Sequence, residues 1–205
     1  MISDKNKLIF VHIPKTGGSS IEYCLKDLII EPVNKVNERN VDVVGGIKNV
    51  IPNSFNNIKH ATASELVSQY GAEKFNTYLK FAVIRNPWDR LLSLYHWIHN
   101  KPYDKKRFIS LIPKGDCDDV PNRPKWSINR YVCDNDDEVI VDRLLDFDNL
   151  KSDFNQLCID LSIKDIKLPH INKHKTKLNY KDILDDEVIE LINISYKKEI
   201  DRFWS

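Results

Sequence analysis

Short apolar runs alternate along this chain with stretches in which apolar residues recur every three or four positions. The runs predict strands near 7–12, 41–47, 57–60, 80–84 and 139–147. The helical spacing predicts helices near 19–29, 62–71, 87–99, 104–111, 149–161 and 185–203. The clearest helix opens with Asn86, a good N-cap, and Pro87, which suits a first helical position. Trp88, Leu91, Leu92, Tyr95 and Ile98 then form its apolar stripe. Thr62 to Glu65 has the form of a capping box opening another helix. In the last helix Val188, Ile192, Tyr196, Ile200 and Phe203 share one stripe, so it is expected to dock on the core. Patterning is weakest at 37–57 and 115–124, where loops are expected. Strand–helix alternation predicts an α/β fold, a central parallel sheet flanked by helices. No repeat or linker interrupts the 205 residues, so 1–205 is expected to be a single domain.

Chemistry concentrates where the first strand gives way to the first helix. There the chain reads Phe10-Val11-His12-Ile13-Pro14-Lys15-Thr16-Gly17-Gly18-Ser19-Ser20. A strand, a tight turn and a helix start aim backbone N–H groups and the positive helix end at a bound anion. Gly17 and Gly18 allow close approach, Thr16, Ser19 and Ser20 add hydroxyls, and Lys15 adds a charge. Lys15 precedes both glycines, whereas a Walker A loop has its lysine after the last glycine. The order speaks against an ordinary nucleoside triphosphatase, and the plainer alternative is a glycine turn with a solvated lysine. A second segment repeats the arrangement. Arg85 follows the apolar run Phe81 to Ile84, and Ser93 lies on the helix that comes next. A guanidinium there forks onto a phosphate and a hydroxyl completes the cradle. The local alternative pairs Arg85 with Asp89 and bonds Ser93 back to its own helix.

Together these segments resemble the sulfotransferase superfamily. Pro14 to Ser20 resembles its 5′-phosphosulfate loop, and Arg85 to Tyr95 resembles its 3′-phosphate motif. The resemblance is nearest to the carbohydrate branch that holds the uronyl 2-O- and chondroitin-type enzymes. Lys59 to Glu65, Phe147 to Phe154 and Leu168 to Lys173 corroborate it with lower specificity. It implies a P-loop-like sulfotransferase fold and a co-substrate, 3′-phosphoadenosine 5′-phosphosulfate (PAPS). The sulfuryl group then passes in line to an acceptor hydroxyl, expected to be on a carbohydrate. Pro14, Lys15, Thr16, Gly17, Gly18, Ser19 and Ser20 are the expected 5′ cradle, and Arg85 and Ser93 the 3′-phosphate site. Lys15 is expected to stabilise charge on the leaving phosphate, with no metal required.

The acceptor hydroxyl must lose a proton, which calls for a base near neutrality. Of six histidines, His60 is the chosen candidate, at the end of a predicted strand and just ahead of the capping box. The matching segment of the uronyl 2-O-sulfotransferases carries a histidine that acts as general base. A packed, hydrogen-bonded strut is the other reading of His60. His12 is expected to pack within its strand, and His96 and His99 to serve as surface or capping groups. The run Lys173, His174, Lys175 and Lys177 is read equally as a solvated loop or as an anion contact.

Composition narrows the field without choosing within it. Lys and Arg total 31 against 30 Asp and Glu, a net charge of +1, so no global field draws the chain to nucleic acid or membrane. No apolar stretch is long enough to span a bilayer and the start lacks a signal core, so a cytoplasmic or otherwise soluble protein is expected. Eukaryotic carbohydrate sulfotransferases usually carry a membrane anchor, a departure that leaves a soluble relative or a trimmed chain. Cys24, Cys117, Cys133 and Cys158 lack metal-ligand spacing; Cys24 and Cys158 read as buried thiols, and a Cys117–Cys133 bridge is conceivable. The remaining functional alternatives are a P-loop-type nucleotide kinase or hydrolase and a non-catalytic nucleotide-binding relative.

Overall fold

The computed structural model describes residues 1–25, 41–44, 47–50, 60–112, 126–163, 168–169 and 179–205, the second and third of these as backbone. They fall into two compact units, Met1–Ile84 with Tyr131–Lys173, and Arg85–Arg130 with His174–Ser205.

The first unit is built on a sheet of order β1-β2-β5-β6, with β1 Ile2–Ser3, β2 Leu8–Val11, β5 Leu79–Ile84 and β6 Arg143–Asp146. β2, β5 and β6 are parallel, and only β1 runs antiparallel, against β2. This is the α/β architecture that strand–helix alternation predicts. All four residues of β2 are buried, which fits a strand covered on both faces. On one face Leu8, Phe10, Phe81, Val83 and Leu145 pack with Ile21 and Leu25 of α1 (Gly18–Leu25) and Leu150, Phe154 and Leu157 of α7 (Leu150–Asp160). Rings of Phe10 and Phe81 stack across neighbouring strands at 4.8 Å.

Several sequence expectations change here. The strand expected at 41–47 is a hairpin of its own, β3 Val41–Val44 antiparallel to β4 Ile47–Val50, outside the main sheet. Of the strand expected at 57–60 only His60 is described, and it lies in a turn. The capping box forms: Thr62 Oγ1 accepts from Glu65 N at 3.2 Å, and Glu65 Oε2 accepts from Thr62 N at 2.7 Å. It opens α2 (Ala63–Tyr70), and a further short helix, α3 (Ala72–Thr77), follows Gly71. The strand expected over 139–147 shortens to β6, where Asp142 accepts from the backbone of Lys80 at 2.7 Å and pairs with its ammonium at 3.0 Å.

The second unit is helical. α4 (Pro87–His99) starts as its sequence predicts, with the Asn86 side chain accepting from Asp89 N at 2.8 Å and Pro87 in the first turn. Asn100 ends it in a left-handed conformation. Leu91, Leu92, Leu94 and Tyr95 pack with Phe108 of α5 (Lys105–Ile109) and with Val188 and Ile192 of α8 (Asp186–Ser195). Ile98, placed on the stripe by spacing, is 44% exposed one residue from the helix end. A short α6 (Ile128–Val132), not foreseen, carries buried Ile128 and Asn129. The final helix is two. Tyr196 (φ −116°, ψ 19°) leaves helical geometry and separates α8 from α9 (Lys197–Phe203). Among the described residues no helix is long and apolar enough to cross a membrane.

Candidate active site

The chain leaves β2 through buried Ile13 and Pro14 and turns into α1. Two successive constraints shape that turn. Lys15 and Gly17 both take positive φ, 67° and 83°, a conformation that glycine holds without strain and lysine does not. Thr16, fully buried, donates its hydroxyl proton to the carbonyl of Ile13 at 2.8 Å. Its side chain therefore braces the turn, and what it offers an anion is its backbone. Gly17 lies against Phe147 and Leu150, so the Phe147 to Phe154 stretch supports the loop from beneath. The first turn of α1 carries no acidic residue, so its positive end is not neutralised within that turn.

Gly18 is required for a different reason. A Cβ there would stand 2.1 Å from Cδ2 and 2.2 Å from Nε2 of His12. The His12 ring is held: its Nδ1 donates to Glu22 Oε1 at 2.7 Å, and it stacks on Phe10 at 5.4 Å. His60 completes the group. Its Nδ1 donates to the backbone carbonyl of His12 at 3.0 Å, and its ring meets the His12 ring edge-on at 4.5 Å. His60 is exposed and His12 buried. The structure thus brings His60 to the strand end that leads into the Lys15 loop, on the same unit of the fold.

Arg85 is the first residue after β5, and Ser93 lies two turns into α4; both are half-buried. Asp89, the carboxylate nearest in sequence, accepts from Asn86 Nδ2 at 2.9 Å and from the backbone N–H of Tyr180 at 3.2 Å. His96 Nδ1 donates back to the carbonyl of Leu92 at 2.8 Å, and the His99 ring lies 4.8 Å from that of Tyr95. Lys173, His174, Lys175 and Lys177 lie outside the described residues, as does Cys117.

A family model described as "Sulfotransferase family" matches residues 1–204. The chain belongs to the sulfotransferase family. Sulfuryl transfer is therefore its class of reaction, and the kinase or hydrolase alternative falls away. No curated protein matches the sequence. Among solved structures it is similar to mouse sulfotransferase SULT7A1 complexed with PAP, at 15% identity and a TM-score of 0.38 over 97% of this chain and 67% of that one. Membership rests on the family match, not on that distant likeness.

Two groups in this sulfotransferase escape a reading of its sequence. Glu22 falls on the polar side of a predicted helix, and nothing local marks it as the partner of His12. Its place one turn after Gly18 is the available signal. Arg90 pairs with Glu199 at 2.6 Å, both essentially buried, across 109 residues of sequence. No spacing rule links residues so far apart.

Proposed function

We propose that this enzyme transfers the sulfuryl group of PAPS to a hydroxyl of a carbohydrate acceptor. The observation that carries the reading is the single cluster formed by the Lys15 loop, His12 and His60 at the carboxyl end of β2. In open α/β sheets that end is where ligands are held. Pro14 to Ser20 fit a 5′-phosphosulfate: the turn is braced internally, Gly18 keeps the helix start open, and no carboxylate lies in the first turn of α1. Arg85 and Ser93 are assigned to the 3′-phosphate. The carbohydrate acceptor rests on the resemblance of the two motifs to the carbohydrate branch.

PAPS supplies the electrophilic sulfur, and the chain's residues manage charge and proton. Lys15 stabilises the negative charge that grows on the bridging oxygen as the phosphate leaves. Backbone N–H groups of the loop and of α1 hold the flanking oxygens. His60 takes the acceptor's proton. A carbonyl only accepts hydrogen bonds, so its contact with His12 puts the ring proton on Nδ1. Neutral His60 then presents the Nε2 lone pair as the base. As the acceptor oxygen bonds to sulfur, the sulfur–oxygen bond to the phosphate breaks, and 3′-phosphoadenosine 5′-phosphate (PAP) leaves with the electron pair.

Labelled PAPS offered with a library of hydroxyl acceptors tests catalysis and acceptor class together. Transfer to glycans is the expected result; transfer only to non-sugar hydroxyls, or to none, overturns the proposal. In the same assay Lys15→Ala is expected to lower kcat by about 10²-fold or more, the scale of losing one transition-state donor. PAP affinity is expected to fall less, since the loop amides remain. A rise in KM at constant kcat would reduce Lys15 to a binding residue.

A further inference from the structure

Arg90 is the anomalous residue of α4. It is 2% exposed on a helix whose other buried residues are Pro87, Leu91, Leu92, Leu94 and Tyr95. Its guanidinium makes three contacts inside the helical unit. Nη2 donates to Glu199 Oε1 at 2.6 Å, Nη1 donates to the backbone carbonyl of Arg85 at 3.3 Å, and the carbon between them lies 5.8 Å from the centre of the Tyr196 ring. Glu199 is 1% exposed, and its second oxygen accepts from the backbone N–H of Ile128 at 2.7 Å. The side chain of Ser127 adds a further hydrogen bond to it. One buried ion pair thus ties together the turn before α4, the start of α6 and helix α9.

Stability alone is a weak reason for such a pair. Replacing a buried ion pair with apolar side chains of similar volume is often neutral or stabilising, because two charges must be desolvated. An apolar couple cannot hold backbone hydrogen-bonding groups, and this pair holds two. One of them, the Arg85 carbonyl, precedes the N-cap Asn86 and so lies outside the α4 ladder. The Arg90 guanidinium donates to it at 3.3 Å, and holding that carbonyl restrains the peptide from which the Arg85 side chain departs.

We propose that Arg90 and Glu199 are positioning residues that aim Arg85 at the 3′-phosphate of the nucleotide. The inference rests on the assignment of Arg85 to that phosphate. Guanidinium recognition of a phosphate depends on direction, since the fork must meet two oxygens at once. A loosened Arg85 peptide therefore costs 3′-phosphate affinity while the Lys15 loop binds as before.

Calorimetry with PAP and with AMP, which lacks the 3′-phosphate, separates the two effects. The wild type is expected to bind PAP far more tightly than AMP. Arg90→Met combined with Glu199→Leu removes both charges and refills their volume, so folding is expected to persist. In this double variant PAP affinity is expected to drop about tenfold or more, the usual scale for losing a group that orients a binding residue. AMP affinity should stay within about twofold, inside ordinary context scatter for a distant site. Arg90→Lys, which keeps the charge and loses the fork, should fall between. Glu199→Gln gives the same readout should the double variant not fold. A lowered melting temperature with the PAP-to-AMP ratio intact in any folded variant overturns the positioning role. Equal affinities for PAP and AMP in the wild type overturn the Arg85 assignment and this inference with it.

Discussion

His60 lies in a turn, exposed, with Nδ1 on the carbonyl of His12 at 3.0 Å. A base must be neutral to accept a proton, so kcat/KM is expected to fall on the acid side in the histidine range. His60→Ala should remove most activity together with that acid limb, while PAP affinity and melting temperature change little. A strut behaves oppositely: the melting temperature drops and the residual activity keeps its pH profile. His60 was legible as a candidate because it stands just ahead of a capping box, which forms. Its tautomer was not, since that depends on a carbonyl 48 residues away in sequence. The same limit hid Glu22. A carboxylate on a helix reads as solvated until the tertiary fold puts a buried imidazole beside it.

The strand–loop–helix element from Leu8 to Leu25 joins local sequence chemistry to a nonlocal requirement. Gly17 is readable from sequence as the residue a tight turn asks for. Gly18 is needed because the His12 ring fills the space its Cβ would take. That ring is fixed by Glu22, Phe10 and His60 and cannot swing aside cheaply. Gly18→Ala is accordingly expected to destabilise the fold by about 1–3 kcal/mol, the usual cost of overpacking. It should also weaken PAP binding by displacing the start of α1. Chemical denaturation and calorimetry on the variant check both effects, and an unshifted denaturation midpoint would show that the ring moves freely. Helix ends with side-chain caps, Thr62 before α2 and Asn86 before α4, matched their sequence signals because capping is local. The break at Tyr196 carried no Gly or Pro to announce it. The stripe of Val188, Ile192 and Tyr196 continues smoothly in sequence, while the backbone departs from helical geometry between two packed segments.

At the scale of the whole molecule, burial of a thiol contributes to the loss of stability at alkaline pH. Burial first, and the neighbouring Cys158 second, push the Cys24 thiol from its ordinary 9.0 up to about 11. Between those values the unfolded chain gives up a proton that the folded protein keeps, so stability falls as pH rises. Below about pH 9 this contribution is fully present. Melting temperatures between pH 8 and 11 should therefore decline more steeply in the wild type than in Cys24→Ala; parallel declines would show that this thiol is not responsible. By itself the sequence determined the α/β class, two loop-and-helix motifs of the family and most helix starts, because periodicity, capping and turn chemistry act over a few residues. It also led to the family, through motifs that keep local spacing. Tertiary structure alone decided that Val41–Val44 leaves the main sheet for a hairpin, that His60 meets the His12 carbonyl, and that Arg90 is neutralised by Glu199. Strand partners and buried ion pairs are chosen by which surfaces meet after the chain has closed on itself, and no short window of sequence contains both sides of that choice.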